Sequence, residues 1–395
     1  MYEKVSTDMN FVEREKDILA FWKANDIRNR SIRAAKEGTP SFTLYDGPPT
    51  ANGKPHFGHI KTRVIKDVIP RFRGMKGERV EFKAGWDTHG LPVELEVEKM
   101  LGINGKPEIE SYGVEPFIKK CKESVWKYKD EWEQMSDRVG FWADMEHPYV
   151  TYENNYIESE WWALKTMWDK DMLYKGHKIV PYCPRCGTSL SSHEVAQGYR
   201  NVTENSVYIR FKLKGQEDVY FASWTTTPWT LPSNVGLCVH PDEEYVRIAV
   251  NKDLDGTEKI VRYYMAGVLA PLLFEDFVVE ERLAGSDLVG MTYEPLFPFS
   301  ASAVSESGKT AFRVTSDTYV TMNDGTGIVH IAPAFGDDDA RVGRNYDLPF
   351  VQLVLEDGTL PPESEEFAGM FVKDADPLLI KRLNQEGKLI KKHIY

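Results

Sequence analysis

The sequence has few cysteines, no long apolar run and no excess of positive charge. Four cysteines in 395 residues do not suggest a disulfide framework. No run of 18 apolar residues occurs, which excludes a membrane-spanning helix. The formal net charge of −12 argues against a general nucleic-acid binder. No GxGxxG follows a predicted strand, which argues against a dehydrogenase. Because the charged amino terminus lacks the apolar core of a secretion signal, we expect a cytoplasmic protein.

Residues 46–59, DGPPTANGKPHFGH, form a predicted turn between a strand at Ser41–Tyr45 and a helix that begins near residue 60. His56 and His59 fall where the first helical turn should begin. Free backbone N–H groups and the helix dipole attract phosphate at such a place. The two imidazoles could also donate hydrogen bonds to charge that develops on phosphorus. Taken alone, HxGH is also compatible with an ordinary turn.

The longer string PPxANGxxHxGH resembles the first nucleotide-binding signature of the class I aminoacyl-tRNA synthetases, and its lead-in is similar to that of the isoleucine branch. A second string, GWDTHGLPVE at 85–94, matches the same family after the next predicted strand. The resemblance implies catalytic roles for His56, His59 and Asp87. It implies ATP-binding roles for Asn52, Gly53, His56, Gly58 and His59. It further implies amino-acid-binding roles for Gly47, Pro48 and Asp87, with Asp87 holding the α-ammonium group.

Strands and helices alternate from residue 41 to about 180, which predicts a parallel sheet with crossover helices. Ligands bind beyond the carboxyl ends of the strands in such sheets. With the resemblance, we expect an α/β protein: the first half of a Rossmann-like domain with an inserted β-rich editing domain. The expected divisions are a helical arm at 1–40, the catalytic half-domain at 41–182, a zinc-knuckle connection at 183–200, the editing domain at 201–390 and the start of a return connection at 391–395.

The connection contains one C-x-x-C pair, Cys183 and Cys186. Two thiolates supply half of a tetrahedral zinc site, which takes four Cys or His ligands. His193 could contribute, although a capping or surface role suits it better. We therefore expect that any zinc site in this chain is incomplete.

Two strings in the β-rich part carry chemistry: WTTTPWTLPSN at 224–234 and GTGIVHIAPAFGDDD at 325–339. Each alone has a plain explanation, since a Thr run suits a strand and DDD suits a solvated loop. Together they resemble the editing domain of the isoleucine branch. The resemblance implies that Asp339 holds the ammonium group of misattached valine and that His330 helps to exclude isoleucine. The remaining pocket residues it implies are Thr225, Thr226, Thr227, Trp229 and Asn234.

The resemblance implies an enzyme that activates isoleucine with ATP and Mg²⁺, transfers it to isoleucine tRNA and hydrolyses misactivated valine. It also implies a monomer. A family string similar to Lys-Met-Ser-Lys-Ser is absent, as is an anticodon-binding region. We therefore expect a fragment with very weak activation and a whole editing domain. Two alternatives remain open: another HxGH nucleotidyltransferase, and a non-enzymatic nucleic-acid module built on the zinc knuckle.

Overall fold

The computed structural model describes residues 7, 10–35, 38–50 and 53–395. The chain divides into two compact units, Met1–Lys175 and Gly176–Tyr395. This division lies seven residues before the predicted boundary between 182 and 183. Within the described ranges, no helix is both long enough and apolar enough to cross a membrane.

The first unit contains a three-stranded parallel sheet with the order β1-β2-β3. Its strands are β1 (Ser41–Tyr45), β2 (Arg79–Trp86) and β3 (Asp144–Val150). Its helices are α1 (Phe11–Ala24), α2 (Ile27–Arg33), α3 (Phe57–Met75), α4 (Leu91–Leu101), α5 (Lys106–Tyr112), α6 (Val114–Ser124), α7 (Lys129–Arg138) and α8 (Asn154–Trp168). The parallel sheet with crossover helices confirms the predicted fold class for this unit.

Aromatic side chains dominate the core of the first unit. Trp86, at the end of β2, meets Trp132 of α7 edge to face with ring centroids 6.5 Å apart. Phe82 meets Phe141 in the same manner at 5.1 Å. Such edge-to-face pairs stabilise a fold beyond the area that they bury. Gly85 lies between Ala84 and Trp86 on β2. Only glycine fits at this position, because a Cβ atom there would lie 2.2 Å from the ring of Tyr149.

The second unit contains a six-stranded sheet with the order β11-β9-β10-β7-β6-β14, a three-stranded sheet with the order β12-β8-β13 and the hairpin β4-β5. Its strands are β4 (Tyr182–Cys183), β5 (Thr188–Ser189), β6 (Asn205–Lys212), β7 (Val219–Thr225), β8 (Gly236–Val239), β9 (Glu244–Lys252), β10 (Glu258–Ala266), β11 (Val278–Ala284), β12 (Arg313–Ser316), β13 (Ile328–Ile331) and β14 (Leu389–Ile394). Its helices are α9 (Ser192–Gln197), α10 (Ala270–Leu273), α11 (Gly285–Leu288), α12 (Pro298–Ser307), α13 (Asp337–Asn345) and α14 (Val372–Gln385). One continuous hydrophobic core connects the two larger sheets.

The sequence pattern predicts strands at 206–214, 219–223, 236–239, 245–250, 312–315 and 328–331. It does not predict two strands of the six-stranded sheet, β10 and β11. Residues 263–266 of β10 are all buried, on both faces of the strand, so they lack the alternation that marks a half-buried strand. Strand β11 is an edge strand with charges at Glu280, Glu281 and Arg282, and its register shifts against β9. Charged residues at an edge hide the periodicity of a strand and also prevent unwanted pairing.

The sequence pattern predicts a basic, strand-like tail at 387–395, and the structure places this tail in the second unit as β14. Residues 391–395 were expected to begin a return connection. Strand β14 pairs antiparallel with β6, and a register shift lies between Leu389 and Lys391. The apolar spacing of residues 376–386 predicts a helix before this tail, and α14 confirms it with a start four residues earlier.

Candidate functional site

The first site is the turn between β1 and α3, where His56 caps the helix. The Nδ1 atom of His56 accepts a hydrogen bond from the N–H of Gly58 at 3.2 Å. The Nδ1 atom of His59 accepts one from the N–H of His56 at 3.1 Å. The two rings stack with their centroids 3.7 Å apart. Because both Nδ1 atoms accept, each neutral ring carries its proton on Nε2 and is left with an N–H that can donate.

His59 is held as a neutral donor. Burial lowers its pKa, and the neighbouring charges of His56 and Arg63 lower it further. Its ring also packs against Trp132 at 4.6 Å. A neutral imidazole beside the amino end of α3 can donate to an anion without carrying a charge of its own.

A cavity of about 280 Å³ opens beside this turn. Three of the sequence-predicted residues line it, namely Gly47, Pro48 and His59. Gly53 lies close by, since its carbonyl accepts from the indole N–H of Trp132 at 2.8 Å. Asn52 lies outside the described residues.

Asp87 reaches the same turn from the next strand. It follows Trp86 at the end of β2, and its backbone N–H donates to the carbonyl of Pro49 at 3.1 Å. An isolated parallel bridge to Thr50 continues the β1-β2 pairing up to this point. The Asp87 side chain is half-buried. The predicted proximity of the two signature strings is therefore found in the backbone.

Sequence reasoning missed a buried charged cluster beneath the turn, formed by Asp46, Arg63 and Lys66. The Nζ atom of Lys66 donates to Asp46 Oδ1 at 2.7 Å and to the carbonyl of Gly47 at 2.8 Å. Arg63 lies 3.7 Å from the Asp46 carboxylate and 4.4 Å above the ring of Phe141. Burial lowers the pKa of Arg63, and the charge of Asp46 opposes this effect. The spacing of 63 and 66 on one face of α3 is the signal that could have indicated the cluster.

The second site is a chain of hydrogen bonds between two strings that lie far apart in the sequence. Thr225 ends β7, and its Oγ1 accepts from the N–H of Thr227 at 3.1 Å. The Oγ1 atoms of Thr225 and Thr227 are 3.2 Å apart, and those of Thr227 and Thr230 are 3.3 Å apart. Thr230 Oγ1 in turn lies 3.0 Å from Nε2 of His330. Thr230 was not among the predicted residues, although it belongs to the predicted string.

Burial shifts the pKa values of both His330 and Asp339. His330 on β13 is 6% exposed, and burial lowers its pKa to about 4. Asp339 lies in the first turn of α13, where its Oδ2 accepts from the N–H of Ala332 at 3.0 Å. Burial raises the pKa of Asp339 to about 6, and the charge of Asp338 adds to this shift. Residues with such shifts are frequent at functional sites.

Trp229 extends the contact between the two strings. Its ring meets Phe335 edge to face with centroids 5.2 Å apart. Thr226 is half-buried between two residues of the hydrogen-bonded chain. The side-chain amide of Asn234 is hydrogen-bonded to other buried groups of the fold. Its Oδ1 accepts from the hydroxyl of Tyr293 at 2.7 Å, and its Nδ2 donates to the carbonyl of Gly236 at 2.8 Å.

The Cys183 and Cys186 pair forms a tight turn in the β4-β5 hairpin. The N–H of Cys186 donates to Sγ of Cys183 at 3.4 Å. His193 lies 2.9 Å from the side-chain amide of Gln197. No group of three or more His, Cys, Asp or Glu residues in the described part of the chain is placed to hold a metal ion. Two thiolates supply half of the four ligands that a structural zinc site takes.

The chain matches known proteins over almost its whole length. Isoleucine–tRNA ligases of Clostridium acetobutylicum and Clostridium kluyveri are 53% and 54% identical to it over 391 residues, which is 99% of this chain and 36% of each relative. The isoleucine–tRNA ligase of Picrophilus torridus is 45% identical over 400 residues, covering 100% of this chain and 38% of that relative. The chain thus spans little more than a third of the length of these relatives.

Among solved structures, the editing domain of the P. knowlesi cytosolic leucyl-tRNA synthetase matches with a TM-score of 0.36 and 13% identity, over 50% of this chain and 98% of that structure. The model of the family described as tRNA synthetases class I (I, L, M and V) matches residues 17–334. This match covers well over half of the sequence and contains the first candidate site and the second one up to His330, whereas Asp339 lies just beyond it. The chain therefore belongs to the class I tRNA synthetases of the isoleucine, leucine, methionine and valine group.

Proposed function

We propose that the chain carries the amino-acid-activating and editing sites of an isoleucine–tRNA ligase. The observation that carries this proposal is the identity of about half of all residues with isoleucine–tRNA ligases along 99% of the chain, through both units. The geometry of the two sites is consistent with the two roles. An unrelated HxGH nucleotidyltransferase or a zinc-knuckle nucleic-acid module would leave the Thr225–His330 chain without a use.

In the proposed activation reaction, the isoleucine carboxylate attacks the α-phosphate of ATP and pyrophosphate leaves. Gly47 and Pro48 would contact the amino-acid side chain, and Asp87 would hold the ammonium group. His56 and His59 would donate hydrogen bonds from their Nε2–H groups to the phosphate oxygens. This chemistry depends mainly on positioning and on stabilising negative charge. ATP would bring Mg²⁺ to the site as its complex.

The proposed editing reaction removes valine that has entered the first site. One methylene in a hydrophobic pocket is worth only about 1–3 kcal/mol, and valine against isoleucine is the standard example of this limit. A second pocket that admits only the smaller ester raises the overall selectivity. Asp339 would bind the ammonium group of the valyl ester, and His330 would exclude isoleucine. Because the Thr230 hydroxyl donates to the Thr227 carbonyl and not to His330, it would not act as a nucleophile, and water would attack the ester carbonyl directly.

The proposed partners are isoleucine tRNA, isoleucine, valine and ATP, with the protein acting as a cytoplasmic monomer. The test uses deacylation of valyl-tRNA that carries the isoleucine anticodon, with isoleucine-dependent ATP–pyrophosphate exchange measured on the same preparation. We expect measurable deacylation by the full chain, and Asp339→Ala should reduce it by about ten- to a hundred-fold, the value of one hydrogen bond to a charged group.

Asp338→Ala is the matched control, because Asp338 is exposed and pairs with Arg341 on the outer face of α13. It should leave deacylation within about two-fold of the wild type, since exposed ion pairs contribute little. Full activity of the Asp339→Ala protein would show that the ammonium site lies elsewhere. Absence of deacylation by the wild-type chain would contradict the editing function itself.

A further inference from the structure

The hydroxyl of Thr230 connects the editing strings at their most buried point. It has three polar neighbours: the carbonyl of Thr227 at 2.8 Å, Oγ1 of Thr227 at 3.3 Å and Nε2 of His330 at 3.0 Å. A hydroxyl has one proton to donate and two lone pairs that accept. The proton is directed to the Thr227 carbonyl, which is the closest of the three acceptors. Thr230 can therefore only accept from the imidazole ring.

This arrangement determines the state of His330. If Thr230 accepts, His330 must carry its proton on Nε2 and leave a lone pair on Nδ1. The Nδ1 atom is buried and has no hydrogen-bond partner among the residues that the structure describes. The other tautomer would place an N–H at this buried position without an acceptor, and orphaned buried N–H groups are rare in native proteins. A neutral ring is also what burial favours, since it lowers the pKa of His330.

The position of Thr230 is itself fixed. It lies in the short helical turn Pro228–Ser233, where its backbone N–H donates to the Thr227 carbonyl at 3.0 Å. The side chain of His330 cannot rotate about χ2 without losing its one hydrogen bond. The rotamer of the proposed isoleucine-excluding side chain therefore depends on a residue of the other string, 100 positions away.

We propose that Thr230 is a positioning residue of the editing site, which fixes the tautomer and the rotamer of His330 through its hydroxyl group and thereby maintains the preference for valyl over isoleucyl ester. This inference rests on the proposed function and deepens it. It differs from a steric role, in which the methyl group of Thr230 would limit the size of the pocket directly.

A pair of variants separates the two roles. Thr230→Ser keeps the hydroxyl and removes the methyl group, whereas Thr230→Val keeps the volume and removes the hydroxyl. We expect Thr230→Ser to retain the ratio of valyl-tRNA to isoleucyl-tRNA deacylation within about two-fold. We expect Thr230→Val to lower this ratio by about five- to thirty-fold, the change expected when one hydrogen bond is lost. The opposite order, with Val retaining the ratio and Ser losing it, would establish the steric role and overturn the proposal.

The tautomer is measured independently of activity. Two-bond ¹H–¹⁵N correlation spectra of the full chain with ¹⁵N-labelled histidine distinguish protonated from bare ring nitrogens, and the signal missing in His330→Gln assigns the ring. We expect wild type and Thr230→Ser to show the proton on Nε2, and Thr230→Val to show a changed tautomer population. A wild-type ring protonated on Nδ1 would overturn the proposal even if the Val variant failed to fold. Absence of wild-type deacylation together with an Nε2 proton would contradict the proposed function but not the positioning of His330.

Discussion

The two candidate sites of this chain are built in opposite ways. The first is mostly local, because the turn from Asp46 to His59 supplies most of its lining, and α3 supplies the rest apart from Trp132 of α7. Its support is ionic, through the buried Asp46 carboxylate. The second site joins residues 100 positions apart through neutral hydroxyl and imidazole groups. The comparison shows that one sequence signature can form a nearly complete site within a single turn, whereas another forms only one side of a contact between distant parts of the chain.

The hydrophobic cores of the two units that contain these sites also differ. The second unit has one continuous buried core that includes Phe211, Phe221 and Leu237. The first unit has two smaller clusters and leaves apolar side chains of α3 exposed, such as Val68 at 58% and Phe72 at 56%. Because buried apolar area is the main source of stability, the second unit should be the more stable of the two.

Removal of the Asp46 carboxylate should have the largest effect on this comparison. Asp46→Ala leaves Arg63 and Lys66 without their common counter-ion in a buried position. Breaking a buried pair in this way destabilises a protein by about 3–5 kcal/mol. We expect fast amide hydrogen exchange throughout the first unit and no change in the second.

Glu123→Ala is the control for this variant, because the ion pair of Glu123 with Lys120 at 2.9 Å is exposed on both sides. Its effect should be small, since exposed ion pairs contribute little. A similarly small effect of Asp46→Ala would mean that the first site does not depend on its ionic support.

Asn234 allows the corresponding test of the second unit. Asn234→Ala removes the partner of the Tyr293 hydroxyl and of the Gly236 carbonyl in a fully buried place. Leaving such groups unsatisfied costs about 1–3 kcal/mol each. We expect a lower urea midpoint for the second unit, measured by tryptophan fluorescence, with unchanged exchange in the first.

Asn251→Ala serves as the control, since Asn251 is exposed at the end of β9. It should change the free energy of unfolding by less than about 0.5 kcal/mol. If Asn234→Ala were equally stable but inactive in deacylation, Asn234 would act on the substrate and not on the fold.

The smallest effect should appear in the pH dependence of the second unit. The pKa of His330 is lowered to about 4, so its contribution to stability is complete above about pH 6.5 and is lost as the pH falls through 4. The pKa of Asp339 is raised to about 6, so its contribution is complete below about pH 3.9 and is lost as the pH rises through 6. Between pH 4 and 6 the two contributions oppose each other.

Two variants should separate these contributions. His330→Gln should make the free energy of unfolding fall more steeply as the pH rises, and Asp339→Asn should make it fall less steeply or rise. Each change is at most about 1.4 kcal/mol per pH unit, and the partly exposed Asp339 should give less. Urea titrations at pH 4.5, 5.2 and 6.0 measure both slopes. Equal slopes in all three proteins would mean that neither group is buried in solution as it is in the structure.

Much of the fold could be read from the sequence, because periodicity and turn residues report on local structure. The strand before the HxGH turn, the helix after it and the parallel sheet are as predicted, and so are six strands of the second unit, with small differences at their ends. Strands β10 and β11 escaped prediction because one is buried on both faces and the other lies at a charged edge. Residues predicted for the two sites from family resemblance are expectations that the experiments above address.

The sequence by itself determined the position of the strand-to-helix turn, since this turn depends on residues within a few positions of one another, whereas the structure placed the N-cap at His56. Only the tertiary structure decided that Lys66 bonds to Asp46 and Gly47 beside the first cavity and that Thr230 bonds to His330. Both contacts are made by side chains whose partners are chosen by packing, and no local pattern specifies which buried hydroxyl or carboxylate a side chain will meet.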